Sequence, residues 1–138
     1  MILLDAYALV AFVAGGPAHR EVRTLIREGD CAVATVNLAE VFDVLERTRR
    51  VPPARAKDAI DPLLDGPVDP IALTVELARE AASIRARHYH RTARPLSLAD
   101  CVLLASGSAG DSVATADPDV LAVAPLVGKK PIALLPES

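Results

Sequence analysis

The sequence predicts an α/β fold of three layers, in which helices cover both faces of a mostly parallel sheet of four or five strands. Short apolar runs alternate along the chain with helix-length segments, which is typical of parallel strands joined by helical crossovers. Aromatic residues make up only 3% of the chain, so Ala, Val, Leu and Ile must build the core. With 138 residues, 51% of them hydrophobic, we expect a single domain over residues 1–138.

In the first half of the chain, strand-length apolar runs precede amphipathic segments that end at Gly or Pro. Asn37 is expected to cap the third helix, which Val51-Pro52-Pro53 ends. The predicted elements are strand 1–4, helix 6–15, helix 18–29, strand 31–35, helix 38–50 and helix 54–65.

The second half repeats this alternation. Thr74 and Ser97 are expected to cap helices, and Pro70 cannot donate a hydrogen bond to a neighbouring strand, so its strand should lie at a sheet edge. The predicted elements are strand 68–73, helix 75–90, a helix that begins after Ser97, strand 112–115, a short helix that begins at Asp117-Pro118, and strand 132–135.

Four carboxylates are expected at the carboxyl ends of the parallel strands, the edge where open α/β sheets bind ligands. They are Asp5, Glu40, Asp100 and Asp117. Each also has a purely structural interpretation, because Asn37 to Glu40 and Ser97 to Asp100 resemble capping boxes and Asp5 and Asp117 stand beside helix starts. Together, however, four such groups repel one another unless a cation compensates, and oxygen ligands of this kind suit Mg²⁺ or Mn²⁺.

The motifs LLDAYALVAF, NLAEV, LSLADCVLLA and VATAD occur in this order along the chain. In that order they resemble the PIN-domain ribonucleases, and most closely the VapC toxins of bacterial type II toxin-antitoxin pairs, over residues 1 to about 135. The resemblance implies a PIN-like fold and a metal site formed by the four acids, with Ser97 and Thr115 as supporting hydroxyls. Tyr7 departs from the small polar residue of many relatives, and Asp119 competes with Asp117 for the last acidic position.

The resemblance further implies an Mg²⁺- or Mn²⁺-dependent endoribonuclease that leaves a 5′-phosphate and a 3′-hydroxyl. Its partners would be an RNA substrate, a cognate VapB-like antitoxin protein and a second copy of the chain. Two alternatives stay open: a PIN fold that binds RNA or a protein without cutting, and a housekeeping RNA-processing nuclease.

The net charge of −3 hides two basic segments, which hold ten of the fifteen basic residues. One covers residues 47–57 and the other residues 79–94, where His88 and His90 accompany the arginines. Either segment is a candidate phosphate-binding surface or an ordinary solvated helix face. The candidate RNA-binding residues are Arg47, Arg49, Arg50, Arg87 and Arg91.

Several classes of protein are disfavoured by the sequence. No glycine-rich phosphate loop or G-x-S-x-G motif is present, and no apolar run approaches the about 20 residues that a membrane span needs. The N-terminus lacks the basic start of a signal peptide, so a cytoplasmic location is expected. Cys31 and Cys101 are expected to be buried, reduced thiols.

Overall fold

The computed structural model describes residues 1–137. Within that range five parallel strands form one sheet in the order β3-β2-β1-β4-β5, so the expected α/β class is confirmed and the sheet is entirely parallel. The strands are β1 (Ile2–Leu4), β2 (Cys31–Ala34), β3 (Val68–Ile71), β4 (Ser112–Thr115) and β5 (Lys130–Ala133).

Seven α-helices and one 3₁₀ helix connect the strands within the described residues. They are α1 (Ala6–Ala14), α2 (His19–Glu28), α3 (Thr35–Arg47), α4 (Pro53–Leu64), α5 (Val75–His88), α6 (Leu98–Ala105), α7 (Pro118–Val123) and the 3₁₀ helix Ala124–Val127. No helix of residues 1–137 is long and apolar enough to cross a membrane.

The sheet separates two apolar cores. In β1, the neighbours Leu3 and Leu4 are both fully buried and belong to different cores, because successive strand residues point to opposite faces. Leu4 packs with residues of α1 to α4, whereas Leu3 packs with residues of α5 to α7. Burial on both faces explains why β2, with the sequence CAVA, is apolar throughout instead of alternating.

The strand order changes direction at β1. The chain passes from β1 to β2 and β3 on one side, while β4 and β5 lie on the other. The carboxyl ends of β1 and β4 therefore flank the switch point, where an open parallel sheet leaves a crevice. Asp5 follows β1 directly, and Asp117 comes two residues after β4.

Most element predictions agree with the structure, and two need correction. Asn37 does not cap a helix, because α3 begins at Thr35 directly after β2 and has Ala34 as its N-cap residue. The last strand covers Lys130–Ala133 instead of 132–135. Pro70 lies in an edge strand, as expected. The predicted domain extends to residue 138, which lies outside the described residues.

Both cysteines are buried and unbridged, as expected. Burial raises the pKa of each thiol to about 11, because a thiolate is poorly solvated in an apolar core. They therefore act as small apolar residues.

The core assignment predicts different costs for two leucine truncations. Leu103 is 1% exposed between α6 and the sheet, whereas Leu126 is 61% exposed on the 3₁₀ helix. Leu103→Ala should lower the free energy of unfolding by about 2–5 kcal/mol. Leu126→Ala should change it by less than about 0.5 kcal/mol. Urea unfolding followed by circular dichroism measures both, and equal costs would contradict the assigned core.

Candidate active site

The carboxyl edge of the sheet holds a pocket of about 330 Å³ at the switch point beside β1 and β4. All four of the predicted acids line it. Its lining residues are Asp5, Ala6, Tyr7, Asn37, Glu40, Asp100, Ala116, Asp117 and Glu137. The two predicted supporting residues also contact these acids, since Ser97 bonds to Asp100 and Thr115 bonds to Asp117.

Asp5 directly follows β1. It caps α1, because its Oδ1 accepts a hydrogen bond from the Ala8 amide at 2.8 Å. Burial, together with the charges of Asp100 and Asp117, raises the pKa of this carboxyl to about 6. A hydrogen bond from the Thr115 hydroxyl and the bond from Ala8 oppose the rise. Asp5 is therefore the acid for which ionisation is most costly at this edge.

Asp100 lies in the first turn of α6 in a capping box with Ser97. The Asp100 amide donates to Ser97 Oγ at 3.0 Å, and the Ser97 amide donates to Asp100 Oδ2 at 3.1 Å. Burial again raises the pKa of the carboxyl, and the bonds from Ser97 oppose this. The structural interpretation of this motif is correct, and it leaves Asp100 Oδ1 free to face the pocket.

Asp117 is the N-cap residue of α7, as Asp5 is of α1. Its Oδ1 accepts from the amides of Asp119 and Val120 at 2.8 and 3.4 Å, and its own amide donates to Thr115 Oγ1 at 3.0 Å. The fully buried Thr115 hydroxyl thus contacts both Asp117 and Asp5, and it links the two acids. Asp119 does not line the pocket, although its charge acts on Asp100.

Glu40 is held through Asn37, a residue whose role the sequence did not reveal. Asn37 is 2% exposed, and its Nδ2 donates to Glu40 Oε1 at 3.0 Å and to the Ala99 carbonyl at 3.3 Å. These two acceptors determine the orientation of the amide, since Nδ2 is its only donor group. Asn37 thus connects α3 to the first turn of α6, beside Asp100.

Comparison with known proteins identifies this architecture. A family model described as PIN domain matches residues 2–125. The chain belongs to the PIN domain family. The resemblance noted in the sequence is thereby confirmed, and the match includes all four acids of the pocket.

Solved structures share the PIN fold at low identity. VapC20 of Mycobacterium tuberculosis, described as a sarcin-ricin loop cleaving toxin, has a TM-score of 0.70 and 22% identity over 89% of this chain and 95% of that chain. DNA-bound VapBC from Salmonella typhimurium has a TM-score of 0.71 and 18% identity over 96% of each chain. FitAcB from Neisseria gonorrhoeae has a TM-score of 0.64 and 18% identity over 95% of this chain and 96% of that chain. No curated protein sequence matches the chain.

The pocket of this PIN domain fits a hard divalent cation by the chemistry of its donors. Asn37 Oδ1 is buried and is the one buried side-chain N or O atom of residues 1–137 without a hydrogen-bond partner. Leaving such an oxygen unsatisfied costs about 1–3 kcal/mol, so binding of a cation or a water at this oxygen would be favourable. The other donors are carboxylate oxygens, which Mg²⁺ and Mn²⁺ prefer.

The carboxylates do not yet converge on one point. Among residues 1–137, no three His, Cys, Asp or Glu side chains are grouped closely enough to hold an ion in their present positions. Each of Asp5, Asp100 and Asp117 bonds to a local amide through one oxygen and has a second oxygen that accepts no bond from an amide. The second oxygen of each is the one available to a cation.

The C-terminal segment closes one side of the pocket, a feature that sequence reasoning missed. Tyr7 donates its hydroxyl hydrogen to the Leu135 carbonyl at 2.5 Å, and Leu134 is buried. These contacts bring Glu137 to the pocket rim, where its Oε1 lies 3.6 Å from Arg49 Nη1. Tyr7 therefore anchors the chain end instead of supporting the acids directly.

The five candidate RNA-binding arginines differ in how free their side chains are. Arg47 forms two hydrogen bonds with Asp43, and Arg49 bonds to the Gly15 carbonyl and pairs with Glu137. Arg87 lies 3.8 Å from Glu80 in an exposed pair. Within residues 1–137, Arg50 and Arg91 form no ion pair and are exposed. Three of the five basic residues of segment 47–57, namely Arg47, Arg49 and Lys57, are therefore paired with acids.

The raised pKa of Asp5 predicts that its charge destabilises the cation-free protein. The native state favours the protonated acid, so this cost is present above about pH 6 and disappears as the pH falls toward 4. Asp5→Asn keeps the cap of α1 and removes the charge. In a chelator at pH 7.5 it should raise the free energy of unfolding by about 1–3 kcal/mol.

Urea unfolding at pH 7.5 and pH 4 measures this effect, and the gain should vanish at the lower pH. Asp69→Asn, on the exposed surface of edge strand β3, is the matched control and should change little at either pH. A loss of stability in Asp5→Asn at pH 7.5 would contradict the assigned electrostatics.

Proposed function

We propose that this chain is a metal-dependent endoribonuclease, and more specifically the VapC-type toxin of a VapBC toxin-antitoxin pair. The observation that carries the proposal is the meeting of Asp5, Glu40, Asp100 and Asp117 at one pocket in a chain of the PIN domain family. The toxin assignment is supported by the solved structures of similar fold, which include a sarcin-ricin loop cleaving toxin and toxin-antitoxin complexes.

The residues that would hold Mg²⁺ or Mn²⁺ are Asp5, Asp100 and Asp117, with Glu40 contributing directly or through water. A bound divalent cation would lower the pKa of a water, orient it toward the phosphorus and offset the charge that develops on the phosphate. The three aspartate side chains are held in place for metal binding, because each accepts a hydrogen bond from a backbone amide.

The reaction is hydrolysis of an RNA phosphodiester. A water oxygen forms the new bond to phosphorus, the bond from phosphorus to the 3′ oxygen breaks, and the proton passes to that oxygen. The products are a 5′-phosphate and a 3′-hydroxyl. Glu40 or Asp117, which line the pocket, would accept a proton from the water, and Glu40 is the more exposed of the two.

An antitoxin of VapB type is the partner that this proposal requires. A basic side chain of such a partner would be attracted to the four carboxylates, and the attraction would be strong inside a partly desolvated pocket. We also propose that the chain is a homodimer and acts in the cytoplasm, where its RNA substrate is found.

The proposal is tested by incubating the purified protein with total cellular RNA and Mg²⁺ or Mn²⁺. Wild type should cleave the RNA, and a chelator should stop the cleavage. Asp100→Asn should lower the rate by more than about 100-fold, because the amide keeps the hydrogen bonds of the capping box but loses the anionic ligand.

Asp119→Asn is the matched control, since Asp119 lies on a neighbouring helix turn and outside the pocket. It should retain activity within about threefold, as expected for a residue whose charge acts only at a distance. If Asp100→Asn and wild type cleave equally, the catalytic assignment is wrong. If neither cleaves while RNA still binds, the chain is a binding module.

A further inference from the structure

The segment that leads into α6, the helix of Asp100, is rich in basic residues. Residues 81–99 contain four arginines, two histidines and no Asp or Glu. They include the second half of α5 and the loop that leads to Ser97. A segment of this composition is complementary to a polyanion.

Tyr89 stands at the centre of this segment and is held by Arg85. The tyrosine follows the last residue of α5 and is 41% exposed. The guanidinium carbon of Arg85 lies 4.4 Å from the centre of the Tyr89 ring, a cation–π contact. Arg85 is itself fixed, since its Nε donates to the Leu96 carbonyl at 3.0 Å. An exposed aromatic ring supported in this way is preorganised for stacking.

A pocket of about 330 Å³ opens beside the ring, between α5 and α6. Its lining residues are Ala82, Arg85, Ala86, Tyr89 and Leu98. The alanines leave space, and Leu98 supplies an apolar surface that is 57% exposed. An aromatic ring, an apolar wall and a guanidinium plane are the surfaces that bind an unpaired nucleobase.

The adjoining loop is ordered by its own hydrogen bonds. The backbones of His90 and Arg94 exchange bonds of 2.8 and 3.0 Å, and His90 Nδ1 accepts from the Ala93 amide at 2.9 Å. Arg91 lies at the tip of this turn and is exposed. The loop therefore presents a cation at a defined place near Tyr89.

We propose that Tyr89 and Leu98 bind an unpaired base of the RNA substrate, while Arg91 and Arg87 neutralise the phosphates on either side. Leu98 and Asp100 both lie in the first turn of α6 but are two residues apart, so their side chains leave different sides of the helix and the bound base belongs to a nucleotide that flanks the reacting one. This inference rests on the proposed function for its choice of RNA as the ligand. It predicts a preference for RNA that is single-stranded beside the cleavage site.

Binding is measured apart from cleavage, with every variant made in the Asp100→Asn protein and assayed in chelator. The probe is a fluorescein-labelled single-stranded RNA of mixed sequence, followed by anisotropy. Tyr89→Phe should bind within about twofold of its parent because the stacking face is kept. Tyr89→Leu should bind about 5- to 100-fold more weakly because that face is lost. Leu126→Ala, at a distant exposed site, should bind like its parent.

Salt dependence separates stacking from charge. Tyr89→Leu should leave the slope of log affinity against log salt unchanged, whereas Arg91→Gln should reduce its magnitude by about 0.7. Heparin, a polyanion without bases, should bind Tyr89→Leu as tightly as it binds the parent.

A direct reporter is available because the chain contains no tryptophan. Tyr89→Trp should be quenched by the RNA and not by heparin, and Leu126→Trp should be quenched by neither. The inference is wrong if Tyr89→Leu binds RNA as tightly as its parent, or if it loses heparin binding as much as RNA binding. It is also wrong if the parent does not bind RNA. Cleavage of RNA by the wild-type protein is assayed separately. If wild type cleaves RNA, only the inference about Tyr89 has failed and the proposed function stands.

Discussion

The burial of carboxylates beside one another is the constraint on which the functional edge of this molecule depends. Burial raises the pKa of Asp5 and Asp100, so the ionisation of these two acids is costly, and the charges of neighbouring acids add to that cost. The chain offsets part of it with three helix starts. Asp5 and Asp117 cap α1 and α7, and Asp100 lies in the first turn of α6, where the partial positive charge of each helix favours an anion.

This arrangement unites two interpretations that the sequence had left as alternatives. A capping carboxylate was weighed against a metal ligand, yet the same side chain can serve both purposes because a carboxylate has two oxygens. One oxygen fixes the side chain to its helix, and the other remains free at the pocket. The hydrogen bonds that look structural are thus what would hold the ligands in place for function.

The parts of the fold and site that the sequence predicted are those set by local pattern. Asp5 and Asp117 could be placed because each directly follows an apolar run of strand length, and Asp100 because Ser97 marks a helix start. Asn37 was misassigned because α3 begins two residues before it, and because its Nδ2 donates to the Ala99 carbonyl, which is 62 residues away. Tyr7 and Glu137 were missed for the same reason, since their partners are distant in sequence. The pairing of Arg49 with Glu137 could not be predicted either, because the fold brings them together, whereas the pair of Arg47 with Asp43 lies within one helix and could have been found from its i,i+4 spacing.

The central claim is that the pocket beside β1 and β4 holds a divalent cation. Anomalous diffraction from crystals soaked in Mn²⁺ tests it most directly, because the signal locates the ion without assuming its ligands. We predict a Mn²⁺ peak bounded by Asp5, Asp100 and Asp117, with Asn37 Oδ1 directed toward it or toward one of its waters. A peak elsewhere, or none in this pocket at saturating Mn²⁺, would contradict the account.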